Sequence, residues 1–157
     1  MADSRSAFSY GEVWSRIYGL SQRLQELGVT RERCVAVECS QNAGYMICEF
    51  AIQLLGGIFV PIEKNAAAGR LAEILGDTQA VLYIGKDPAK LSAALGTIQT
   101  SCGPSQHSAT PGFMDISRAA DFAYAPEDIP PPGEMLFPEA QQTAEILFST
   151  GTTGKSK

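Results

Sequence analysis

The 157 residues are long enough for one domain with a real core, and 45% apolar against 18% charged residues excludes a disordered chain. A net charge of -5, with Lys and Arg scattered instead of striped, argues against a nucleic-acid footprint. The N-terminus lacks a basic-then-apolar leader pattern and no apolar run approaches the roughly 20 residues that span a bilayer, so a soluble, cytoplasmic chain is expected.

In chain order, Ser9 and Glu12 form a capping box, and Val13, Ile17, Leu20, Leu24 and Leu27 recur at helical spacing until Gly28. Cys34 to Val37 is a short β-prone run. Gln41 to Leu55 carries Met46, Ile47, Phe50, Ala51 and Leu54 at helical spacing and stops at Gly56-Gly57. Ile58 to Ile62 reads as a second strand, with Pro61 marking its end or an edge because proline cannot donate to a ladder. Leu71, Ile74 and Leu75 predict a short helix closed by Gly76, and Ala80 to Ile84 a third strand. Asp87 and Pro88 open a helix reaching Ile98. Strand alternating with helix predicts an α/β fold, a mostly parallel sheet with helices on both faces.

Ser101 to Gly112 turns to Ser, Gly, Pro and Gln and reads as a loop. Between Arg118 and Lys155 there are six acidic residues and no basic one, and five of the nine prolines fall in Pro126 to Pro138, which predicts a stiff crossing segment. The expected organisation is a single partial domain over 1–157: βαβ units over 8–100, loop and crossing segment over 101–143, and strand plus phosphate loop over 144–157.

Cys34, Cys39, Cys48 and Cys102 have no CxxC pairing and read as reduced thiols, with no metal site expected. His107, the one histidine, sits in the Ser/Gly/Pro-rich loop and offers little to a triad or zinc site.

The chemistry concentrates in the last fourteen residues. Ala144 to Ser149 reads as a strand and runs into Thr150-Gly151-Thr152-Thr153-Gly154-Lys155-Ser156-Lys157. Gly151 and Gly154 permit close backbone approach to an anion, the threonines offer hydroxyl donors, and Lys157 adds a mobile positive charge. Two phosphate loops compete. Gly154-Lys155-Ser156 matches the second half of G-x-x-x-x-G-K-[ST], but the required opening glycine falls on Ser149. Ser149 to Lys157 resembles more closely the signature loop of the adenylate-forming superfamily, hydroxyl-hydroxyl-Gly-Thr-Thr-Gly-x-Pro-Lys-Gly, with Ser156 where proline is usual. Gly28-Val29 leading into Arg33-Cys34-Val35-Ala36-Val37, and Gly56-Gly57-Ile58-Phe59-Val60-Pro61-Ile62, are similar to that family's earlier strands.

The resemblance covers Phe8 to Lys157 and implies the N-terminal subdomain of an acyl-CoA synthetase or related ligase. Such an enzyme joins a carboxylate to ATP with Mg2+, releases pyrophosphate, and passes the acyl group to a thiol, usually coenzyme A. By that resemblance Ser149, Thr150, Gly151, Thr152, Thr153, Gly154 and Lys157 hold the phosphates, and no residue here is catalytic. The family's adenine pocket and C-terminal lysine follow this loop, so the chain alone is expected to be inactive. A non-catalytic α/β binding module and a P-loop protein stand as alternatives.

Overall fold

The computed structural model describes residues 7–101, 110–131, 134–135 and 137–149. Helix α1 spans Tyr10–Glu26, strand β1 Cys34–Glu38, helix α2 Ala43–Leu54 and strand β2 Ile58–Ile62. Helix α3 spans Ala68–Thr78, strand β3 Leu82–Gly85, helix α4 Pro88–Ser101 and strand β4 Gly112–Asp115.

Local chemistry sets the helix ends. Ser9 accepts from the Glu12 amide while the Glu12 carboxylate accepts from the Ser9 amide at 2.7 Å, the reciprocal box that the sequence predicts. At the other end Gly28 takes φ +87°, Gly28 N–H donates to Gln25 and Val29 N–H to Leu24, closing a Schellman motif around the buried Val29. Helix α2 repeats the device: Asn42 caps it through the Tyr45 amide, and Gly56 (φ +69°) and Gly57 donate back to Gln53 and Ile52. Helix α3 departs from expectation. It runs through Gly76 to Thr78, and Gln79 takes the left-handed turn at φ 50°, its side-chain amide donating to the Gly76 carbonyl at 2.7 Å.

All four strands are parallel, in the order β2-β1-β3-β4. Alternation then sorts the side chains. Val35, Val37, Phe59, Leu82, Ile84 and Met114 point into one core layer with Leu20, Leu24, Ile47 and Ile52 of α1 and α2. Ala36, Val60, Ile62 and Tyr83 point into the other with Leu71, Ile74, Leu75, Leu91 and Ala94 of α3 and α4. Helices therefore cover both faces, as the sequence predicts. The chain moves one way from β1 to β2 and the other way afterwards, so crossovers of one hand must lie on opposite faces, which is where α2 and the α3/α4 pair stand.

Two expectations are corrected. Strand β4 was not predicted; four residues between Pro111 and a 3-10 turn give too short a pattern to read. Ala144 to Ser149 does not form a full strand. Phe59 N–H donates to the Ala144 carbonyl and Ile146 N–H to the Phe59 carbonyl, a single parallel bridge between Phe59 and Glu145. The reason is Pro61. Ile58 N–H bonds to Arg33 on the β1 side and Phe59 N–H to Ala144 on the outer side, so the next outward donor along β2 is residue 61, which has none.

Candidate functional site

In an open parallel sheet the ligand crevice lies at the carboxyl ends of the strands, where neighbouring crossovers leave toward opposite faces. Here that point falls between β1, which leads into α2, and β3, which leads into α4.

Glu38 ends β1 and is buried at 7% exposure, a costly place for a carboxylate without partners. It has two. The Tyr83 hydroxyl donates to Glu38 Oε2 at 2.8 Å, and Lys90 Nζ stands 3.7 Å from the same oxygen. Lys90 Nζ also donates to the Lys64 carbonyl at 3.3 Å, tying α4 to the segment after β2. Ala36 pairs with Tyr83 across the sheet, so Tyr83 must lean along its strand to reach Glu38. Gly85 makes that possible, since a Cβ there would lie 2.6 Å from the Tyr83 ring. Burial, the hydrogen bond to Glu38 and that residue's charge raise the Tyr83 phenol above its ordinary range, so it donates and does not ionise.

On the other face, the Cys39 thiol and the Tyr45 hydroxyl are 3.4 Å apart. Burial pushes the Cys48 thiol up to about 12. Cys48 is therefore a small core residue and not a nucleophile. Cys34, Cys39 and Cys48 are all free thiols. Cys102 and His107 lie outside the described residues.

The stretch that leads to the expected phosphate loop is held by its bridge to Phe59, by Ile146 and Phe148 packing on the α3/α4 core layer, and by the Arg70 guanidinium, 5.6 Å above the Phe148 ring. Because that bridge is parallel, the segment advances in the same direction as β2 and brings Ser149 to the carboxyl side of the sheet. Ser149 is exposed there. Among the sequence-predicted site residues it alone is described; Thr150, Gly151, Thr152, Thr153, Gly154 and Lys157 lie outside the described residues. β2 separates the Ser149 segment from β1, so Ser149 does not join the Glu38 network. Sequence reading missed that network. Its one visible signal is a lone carboxylate closing the apolar run Cys34-Val35-Ala36-Val37.

No described helix is long and apolar enough to cross a membrane.

Comparison with known proteins agrees with this architecture. Human mitochondrial malonate–CoA ligase ACSF3 is 26% identical over 165 aligned residues, covering all of this chain and 26% of that protein. The ATP-bound structure of MatB from Rhodopseudomonas palustris superposes with a TM-score of 0.72 at 20% identity, over 97% of this chain and 29% of that one. The Klebsiella oxytoca NpsA N-terminal subdomain gives 0.71 at 19%, over 98% and 35%. At these identities the structural likeness shows the fold, and the chain spans between 26% and 35% of these three proteins. The sequence pattern of the AMP-binding enzymes matches residues 1–157. The chain belongs to the AMP-binding enzyme family.

Proposed function

We propose that this chain is the N-terminal part of an ATP-dependent ligase that activates a carboxylate as its acyl-adenylate and then passes the acyl group to the thiol of coenzyme A. The observation that carries the reading is the delivery of an exposed hydroxyl, Ser149, to the carboxyl side of a parallel sheet, immediately before the Gly- and Thr-rich sequence. That is the side on which α/β sheets hold anionic ligands. Family membership supports the adenylate step and leaves the G-x-x-x-x-G-K-[ST] alternative without support. The coenzyme A step rests on the sequence resemblance and on the name of the human relative.

In this reading Ser149, Thr150, Thr152 and Thr153 donate hydroxyls to the β- and γ-phosphate oxygens. Gly151 and Gly154 let backbone amides approach them, and Lys157 places a point charge beside them. Mg2+ arriving with ATP spreads the phosphate charge further. These groups hold and orient the leaving pyrophosphate; they act by position and electrostatics and form no covalent bond. In this reading the adenine pocket comes from sequence that follows the loop in the whole enzyme, so the 157 residues by themselves should show no exchange.

The test is carboxylate-dependent exchange of labelled pyrophosphate into ATP, run on the protein expressed from the full reading frame around this sequence. Exchange without added coenzyme A, lowered about 100-fold by removing a phosphate donor as in Thr152→Ala, is the expected result. Exchange that is absent with every carboxylate class tried would instead favour a non-catalytic α/β binding module.

A further inference from the structure

The helix starts differ in what fixes them. Ser9 caps α1 and Asn42 caps α2, each through its own side chain. Helix α3 begins behind Ala67, which has no polar side chain to cap it. The segment between β2 and α3, residues 63–67, turns through an Ala66 N–H donated to the Glu63 carbonyl, and it is tied from another helix: Lys90 Nζ of α4 donates to the Lys64 carbonyl at 3.3 Å.

A costly arrangement aims Lys90. Its side chain is 14% exposed and that of Glu38 9%, with Nζ 3.7 Å from Glu38 Oε2, and the Tyr83 hydroxyl holds the same oxygen at 2.8 Å. Glu38 shares the strand face of Ala36, which lies in the α3/α4 core layer, so an apolar side chain there would bury without desolvating a charge. Apolar replacements of buried ion pairs are commonly as stable or more so, and stability alone does not call for this one. Directional bonds add something else, a fixed spacing between β1, α4 and the Lys64 backbone.

That spacing reaches Ser149. Helix α3 follows the tied segment directly, and its first turn carries Arg70, whose guanidinium lies 5.6 Å over the ring of Phe148, the residue before Ser149. Ile146 and Phe148 pack on the α3/α4 core layer. The sheet contributes one bridge, at Phe59, because Pro61 has no amide for the next bond. The α3/α4 layer therefore does much of the placing, and Lys90 ties that layer by polar bonds to the carboxyl ends of β1 and β2.

We propose that Lys90, aimed by Glu38 and Tyr83, is a positioning residue for the Ser149 hydroxyl: it fixes the segment after β2 and, through α3, the stretch that delivers Ser149 to a nucleotide phosphate. The inference rests on the ligase reading above and deepens it, giving that site a determinant on the far side of β2.

Two measurements on the protein from the full reading frame test it. In pyrophosphate exchange, Lys90→Met should raise the KM for ATP and for pyrophosphate about tenfold and leave that for the carboxylate unmoved. Lys90→Arg, which keeps the charge and the donors, should restore most of the difference. A lower maximal rate with all three KM values unmoved means that the cluster only stabilises the fold, and overturns the proposal; so does a carboxylate KM that rises as far as that for ATP. Hydrogen exchange at the Ile146 amide, bonded to the Phe59 carbonyl, reads the docking of the stretch without any activity. Lys90→Met should speed it about tenfold while the Val29 amide, bonded to the Leu24 carbonyl, hardly changes. Equal acceleration at both amides, or none at Ile146, overturns the proposal. If the unsubstituted protein exchanges no pyrophosphate with any carboxylate class, the ligase reading fails, and the Ile146 amide alone decides whether Lys90 places the stretch. If Lys90→Met does not fold, the double variant Glu38→Gln with Lys90→Met, which leaves no buried charge in the cluster, takes its place in both measurements.

Discussion

The two helical layers of this small sheet solve the same problem differently. The α3/α4 layer buries its apolar side chains and adds one polar cluster, Glu38 with Tyr83 and Lys90, whose members come from β1, β3 and α4 and satisfy one another. Among the described residues the α1/α2 layer shows no such cluster against the sheet, and its outward surface keeps Tyr10, Met46 and Phe50 in solvent. Finished burial on one side and unfinished burial on the other teach that the same βαβ logic can produce a self-contained face and a face made for company. The difference comes from side chains, since both layers rest on opposite faces of the same strands.

The sharpest way to break the comparison is at Glu38. Glu38→Ala leaves the Tyr83 hydroxyl buried without its acceptor and takes the carboxylate from the Lys90 ammonium, which keeps its bond to the Lys64 carbonyl, and should cost about 2–3 kcal/mol in a urea melt. Tyr83→Phe removes one charge-assisted hydrogen bond and should cost about 1.5 kcal/mol. If both variants melt like the parent, the cluster does not distinguish the two layers.

The next effect lies on the α1 side, where Gly19 lets the segment after the 3-10 turn lie against the helix. The Ser15 hydroxyl donates to the Tyr124 carbonyl, and Tyr18 and Tyr124 meet edge to face at 5.2 Å. A methyl at position 19 would run into the Phe122 carbonyl, so Gly19→Ala should cost about 1–3 kcal/mol in the same melt. Smaller again is the cap of α1: Ser9→Ala should cost about 1 kcal/mol in the same melt.

Outward polar substitutions sharpen the contrast by doing almost nothing. Phe50→Glu in the 157-residue chain should change stability by less than about 0.5 kcal/mol, whereas Leu71→Ala inside the closed layer should cost about 2–5 kcal/mol. Glu49 gives the smallest effect, and its size depends on pH. Burial and then the Glu145 charge raise its carboxyl above the ordinary value. The folded state thus holds this proton more tightly than the unfolded chain, a contribution present at low pH and lost as pH rises through the raised value. Glu49→Gln should therefore gain below about 0.5 kcal/mol at pH 7, allowing for solvent screening, and nothing near pH 3. Urea midpoints of both proteins at the two pH values decide it.

Much of the fold was legible in the residues because the signals are local. Ser9 with Glu12, Gly28, Gly56 and Asp87 with Pro88 set helix ends through bonds spanning a few residues, and apolar period distinguished helix from strand; the Asn42 cap of α2 shows only in the structure. The exceptions have named causes. Gly76 reads as a stop, but its carbonyl finds the Gln79 side chain and the turn moves three residues on. Strand β4 is too short for its period to show. Of the expected phosphate loop, Ser149 alone is described, and its place at the carboxyl side follows from one parallel bridge that no local pattern announces.

The sequence by itself determined the α/β class, the capping box of α1, the family and the composition of the Ser149–Lys157 stretch, because each is carried by neighbours along the chain. Only the tertiary structure decided that Glu38, Tyr83 and Lys90 form one buried cluster, since these residues meet only after two crossovers. It also decided that Pro61, harmless to the β1 ladder, limits pairing on the outer edge, because which neighbour a strand amide faces is set by register. And it decided that Met46 and Phe50, core-like in the helical pattern, stand outward beside Trp14, because a helix has more apolar circumference than one sheet can cover.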